Sequence, residues 1–90
     1  MRIKIQGKAW NLRFAKSKEL KRDYGHCDSP KRKHKEIVIR DNLEPKLELD
    51  TTIHELLHAA DWSKSEEWVD STANEIANIL WRLNWRKVNQ

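Results

Sequence analysis

The chain has 90 residues, 38% hydrophobic and 36% charged, with a formal charge of +4 and a pI near 9.4. This length fits one core, and so one domain over residues 1–90, whose stability is marginal without help. No apolar run approaches the roughly 20 residues that cross a bilayer, Met1-Arg2-Ile3-Lys4 is unlike a signal peptide, and one cysteine cannot form an internal disulfide. The expectation is a cytoplasmic protein with no membrane partner, and a metal ion is the remaining candidate staple.

In chain order, residues 2–6 alternate polar and apolar, as do Trp10, Leu12 and Phe14 against Asn11 and Arg13. Period two is the pattern of a half-buried strand, and Gly7-Lys8 between the two runs suits a two-residue hairpin turn. Residues 15–23 are charged and carry no firm pattern. Tyr24 to Asp28 reads as a short strand or turn closed by Ser29-Pro30. Glu36-Ile37-Val38-Ile39-Arg40 reads as a strand, β-branched and bounded by charge. There are no repeats and no low-complexity linker.

The second half reads as helix. Pro45 fits a first turn, where its missing N–H is not needed, and Leu49, Ile53, Leu56, Leu57 and Ala60 then share one arc. Asp61-Trp62-Ser63-Lys64 interrupts the pattern. A second helix begins near Ser65 and runs to about Arg82, with an apolar arc of Val69, Ala73, Ile76, Ala77 and Leu80. Strands first and helices after predict an α+β fold: a small antiparallel sheet of about three strands followed by two packed helices.

The net positive excess falls mostly between Lys16 and Lys35, including the run Lys31-Arg32-Lys33-His34-Lys35. Such a run can contact phosphates, but it reads first as a solvated loop, and no nucleic-acid motif accompanies it.

The residues that carry chemistry are His54-Glu55-Leu56-Leu57-His58. Four positions apart on a helix, the two imidazoles project from one side, one turn above the other, within reach of one Zn²⁺. Glu55 is rotated about 100° from them, poorly placed as a ligand but able to reach a metal-activated water. The same spelling can arise by chance on an exposed helix. Here it falls on an amphipathic one, beside the apolar arc.

A catalytic zinc site uses three protein ligands, and Asp61, Glu66, Glu67, Asp70, Glu75 and Asn74 all follow His58. Glu66 and Asp70 share the arc that must face the first helix. Glu67 is about 100° away and remains the alternative third ligand. Asp70, one turn beyond Glu66, can accept a hydrogen bond from the distal nitrogen of a ligating histidine. Glu66 has a competing role, because Ser63-Lys64-Ser65-Glu66 spells a capping box in which it would reach back to the Ser63 amide.

The order strand, H-E-x-x-H helix, turn, and helix bearing Glu with Asp four later resembles the gluzincin zinc metallopeptidases in their smallest, minigluzincin-like form. More closely, it resembles the small metallopeptidases encoded by tailed bacteriophages. Residues 25–28, 37–39, 49–59, 65–69 and 80–83 carry the resemblance. It implies a minimal zincin-like fold with His54, His58 and Glu66 as zinc ligands and Glu55 as the general base of peptide-bond hydrolysis. It further implies that strand 36–40 is an edge strand taking an extended peptide substrate by β-addition. Relatives of this type have a glycine where Asn84 stands, and Asn also tolerates the left-handed conformation.

The other conspicuous residues lean toward structure. His26 and Cys27 lack a spaced partner pair for a second metal. Tyr24 could donate to an oxyanion, and Trp62, Trp68, Trp81 and Trp85 either pack the helix pair or form an exposed patch. The rival function is a non-catalytic, zinc-stapled module that binds a host or phage protein, or nucleic acid.

Overall fold

The computed structural model describes residues 1–88. It contains strands β1 (Arg2–Ile5), β2 (Lys8–Ala15), β3 (Gly25–Cys27) and β4 (Glu36–Arg40), and helices α1 (Ser17–Leu20), α2 (Pro45–Ala60) and α3 (Glu66–Arg82). The α+β class and the pair of packed helices are as the sequence predicts. The sheet is larger and differently wired.

Its order is β1-β2-β4-β3, with β1/β2 and β3/β4 antiparallel but β2/β4 parallel. The sheet is therefore mixed and four-stranded, not a three-stranded antiparallel one. Alternation of apolar residues is the same for either direction. Here residues 16–35, carrying α1 and β3, return the chain to the start of β4 alongside β2. The same wiring corrects a second expectation. Strand β4 lies between β2 and β3, so residues 36–40 are interior, and the edge beside α2 is the three-residue β3.

The first hairpin turns one residue earlier than expected. Ile5 pairs with Lys8, so the two-residue loop is Gln6-Gly7, both at positive φ (50° and 75°). A type I′ turn requires both central residues there, and its twist matches the flanking strands.

Alternation then sorts the sheet into two faces. Trp10, Cys27, Ile37 and Ile39 form a buried cluster with Ala59 of α2, flanked by Ile3, Ile5, Leu12, Leu43 and Leu56. Burying each of the larger side chains contributes about 1.5–3 kcal/mol. On the reverse face, Leu20 of α1 covers Ala15 and Val38. Hence the patternless stretch 15–23 does hold an element, one turn of helix with a single buried leucine.

Helix α2 is clasped between the sheet and α3. Its most buried line is Thr51, Glu55 and Ala59, not the predicted apolar arc, whose members are half-buried. Helix α3 buries Val69, Ala73 and Ala77, and these alanines let the two helices approach closely. It ends in a Schellman motif: Asn84 adopts φ 66°, and the Asn84 and Trp85 amides donate to the Trp81 and Leu80 carbonyls. Among the described residues, no helix is long and apolar enough to cross a membrane.

Candidate metal centre

Two consecutive turns of α2 place His54 and His58 on one side, and their Nε2 atoms lie 3.2 Å apart. The turn at residues 61–64 folds α3 back so that its first residue, Glu66, reaches both rings. Its Oε1 is 2.8 Å from His54 Nε2 and its Oε2 2.9 Å from His58 Nε2. One turn later, Asp70 Oδ1 lies 3.1 Å from His54 Nδ1. Both histidine side chains are mostly covered, at 16% exposure, while Glu66 stands at the open side at 65%.

The Asp70 contact makes Nδ1 of His54 the donor and turns the Nε2 electron pair toward Glu66 and His58. Three such electron pairs repel one another unless a cation, a proton or a metal ion, lies among them. In a tetrahedral site with ligand bonds of 2.0–2.1 Å, donor atoms sit about 3.3 Å apart. The two nitrogens, 3.2 Å apart, match that value, and the two Glu66 oxygens, at 2.8 and 2.9 Å from one nitrogen each, lie nearer. His54, His58 and Glu66 thus form a group that can hold a metal ion, with all three donor atoms within 4.8 Å of one another. Two nitrogens and one carboxylate oxygen suit zinc chemically.

Glu66 is not the helix cap. Ser65 holds that position and its side chain accepts from the Trp68 amide at 3.1 Å, while the Ser63 amide donates to Asp61. With the cap two residues later than the capping-box reading requires, Glu66 starts the helix and its carboxylate is free to reach across. Glu67 is exposed and does not belong to the group.

Glu55 lies on the sheet-facing line of α2 and is only 7% exposed. Burial pushes its carboxyl up to about 7 and the nearby Glu66 adds to this, against the opposing pull of His54. What admits a carboxylate so deep is Gly25 on the edge strand β3. A Cβ at Gly25 would come within 3.0 Å of Glu55 Cγ, Glu55 Oε2 and Thr51 Cγ2. Sequence reasoning did not single out Gly25 or Thr51. A glycine inside a short strand is the signal for such close approach.

A cleft of about 860 Å³ opens between β3 and the two helices. Glu55, His54, His58, Glu66 and Asp70 line it together with Tyr24 and Trp62. Trp62 forms a wall, its ring tilted 59° to that of His58 at 6.0 Å. Tyr24 stacks on the Arg40 guanidinium at 5.0 Å and is half exposed. His26 is engaged elsewhere, with its Nε2 2.9 Å from Asp28 Oδ1. Cys27 is a buried thiol, pushed up to about 12 by burial and by the neighbouring Glu55 and Asp28. Of the other tryptophans, Trp68 and Trp85 are exposed and Trp81 half-buried against the Arg86 guanidinium at 3.3 Å, so none joins the sheet core; Trp10 does.

No protein-family model, no curated protein and no solved structure matches the chain.

Proposed function

We propose that this chain is a zinc-dependent metallopeptidase of the gluzincin kind, similar to the small phage-encoded enzymes, acting on a peptide or protein substrate in the cytoplasm of a host cell. One observation carries the reading: two imidazole nitrogens and a carboxylate meet within 2.8–3.2 Å at the mouth of a cleft whose floor is a buried glutamate. His54, His58 and Glu66 would hold the ion, and bound there it would polarise the scissile carbonyl and make water more acidic.

The chain's own residues supply the remainder. Asp70 fixes the ring of His54 through Nδ1, so that Nε2 keeps its direction. Glu55, with its carboxyl brought near neutrality by burial, accepts the proton of the attacking water and passes it to the leaving amine. The edge strand β3, not β4, offers unpaired backbone groups beside the cleft for an extended substrate.

Metal analysis of protein purified without chelators should find one zinc per chain, and its absence would end this reading. The catalytic step is tested by degradation of host lysate with and without chelator. Glu55→Gln should retain zinc and lose hydrolysis. A Glu55→Gln protein that keeps both its zinc and its biological activity would leave the zinc as a staple and favour a binding module.

A further inference from the structure

The charge of the chain divides between its two halves. Residues 1–43 carry thirteen Lys or Arg and five Asp or Glu, a balance of +8, whereas residues 44–90 carry five and nine, a balance of −4. The metal cleft belongs mainly to the acidic half. The basic half presents a second groove, of about 940 Å³, on the sheet face that the long helices leave uncovered.

Three of the four acids lining that groove are neutralised from within. Arg13 donates to Glu19 and to Glu36 together, holding both carboxyls below the usual range. Asp28 is 8% exposed and accepts from the Glu36 amide at 2.9 Å, besides its contacts with His26 and Arg32. Burial alone would raise its carboxyl; the hydrogen bonds from His26 and the Glu36 amide outweigh that and lower it. This buried carboxylate also ties down the basic run. It holds the Glu36 amide that follows loop 29–35 and the Arg32 guanidinium within it, and Lys35 closes back on the Arg32 carbonyl at 3.1 Å.

What is left on the groove wall is cationic. Arg2, Lys21 and Lys33 have no ion-pair partner among the described residues, and Lys35 bonds only to neutral groups. Asp23 is the one acid there without a cation partner. The run alone gave no reason to expect a site. Its convergence with Arg2 of β1 and Lys21 beyond α1 does.

We propose that this groove binds the phosphodiester backbone of nucleic acid. A bilayer is disfavoured, because the large apolar side chains of the lining, Trp10, Leu20 and Val38, are all buried and cannot insert. A stable protein interface needs an apolar core, which this face also lacks. With no exposed Phe, Tyr or Trp ring in the groove for stacking, recognition is of phosphates and independent of sequence. The proposal stands apart from the peptidase reading, since the groove shares neither metal ligands nor general base with the cleft.

The test is fluorescence anisotropy of a labelled 20-base-pair duplex of arbitrary sequence, titrated with the full chain as purified. About four neutralised phosphates give a slope of log K against log salt near −3 to −4, so affinity should fall about 100-fold from 50 to 200 mM salt. The double variant Arg2→Glu/Lys33→Glu should lose at least tenfold in affinity while keeping its zinc. Arg2→Gln/Lys33→Gln should lose less. Lys46→Glu, an exposed lysine on α2, should change affinity less than twofold. Equal losses in Arg2→Gln/Lys33→Gln and Lys46→Glu, each of which lowers the net charge by two, would mean that net charge alone drives binding, and would overturn the site. So would absence of binding at 50 mM salt, or tighter binding to phosphatidylserine vesicles or to polyglutamate than to the duplex.

Discussion

The two faces of this one sheet are stabilised by different physics. On the α2 face, Trp10, Ile37, Ile39 and Ala59 exclude water, and the one charged group admitted to that line, Glu55, shifts its proton affinity in response. On the reverse face, a four-residue helix covers only Ala15 and Val38, and Arg13 with its two glutamates spans what remains. Apolar burial is strong and indifferent to salt; partly exposed ion pairs are weak and screened. The α2 face can therefore tolerate a costly buried carboxylate, while the reverse face contributes less to stability and keeps its cations available.

The largest expected effect lies at the centre of the first face. Ile39→Ala removes a fully buried side chain and should cost about 2–5 kcal/mol in urea denaturation. A loss below 1 kcal/mol would mean the core is not where the sheet and α2 meet.

The metal group comes next, read as zinc affinity by competition with a chromogenic chelator. Glu66→Gln should weaken binding by at least about 100-fold, near 2.7 kcal/mol. Asp70→Asn should weaken it by roughly 10–100-fold through a misoriented His54. Glu67→Gln should leave it within about twofold. Release of zinc by Glu67→Gln with retention by Glu66→Gln would show that α3 is registered one residue differently.

Glu55 tests how far the α2 face resists charge. Its carboxyl titrates near 7 in the metal-free fold against an ordinary value of 4.5, so the neutral form is favoured by folding. Below 4.5 the group is protonated in both states and costs nothing. Between 4.5 and 7 the unfolded chain ionises while the folded group keeps its proton, so stability falls across that window and is level above it. Metal-free Glu55→Gln should match the native chain at pH 4 and exceed it by about 1–3 kcal/mol at pH 8, measured by chemical denaturation. Equal stability across that range would place Glu55 in contact with water.

The smallest effect belongs to the reverse face. Arg13→Met should cost less than about 1 kcal/mol, because Arg13 and both glutamates are at least one-third exposed. That difference should shrink further in 0.5 M salt. A larger, salt-insensitive loss would make the ion pairs as important as the core and remove the contrast between the faces.

Local pattern was enough to determine much of this protein. The β-branched run at 36–40, Pro45 opening α2, and the arc of Val69, Ala73 and Ala77 follow from periodicity and backbone preference, which act within a few residues. Four-residue spacing likewise put His54 and His58 on one side, and helical projection favoured Glu66 and Asp70 over Glu67. Tertiary structure decided the rest. Strand direction carries no signature in alternation, so the parallel pairing of β2 with β4, and hence an edge at β3 instead of β4, emerged only once residues 16–35 were folded. The two-residue difference between a cap at Ser63 and a cap at Ser65 decided what the Glu66 carboxylate could reach. Gly25 received its role from a glutamate thirty positions away, and the cations Arg2, Lys21 and Lys33 became neighbours only because the sheet drew three separate segments around one groove. Each of these depends on contacts distant in sequence, which a local pattern cannot record.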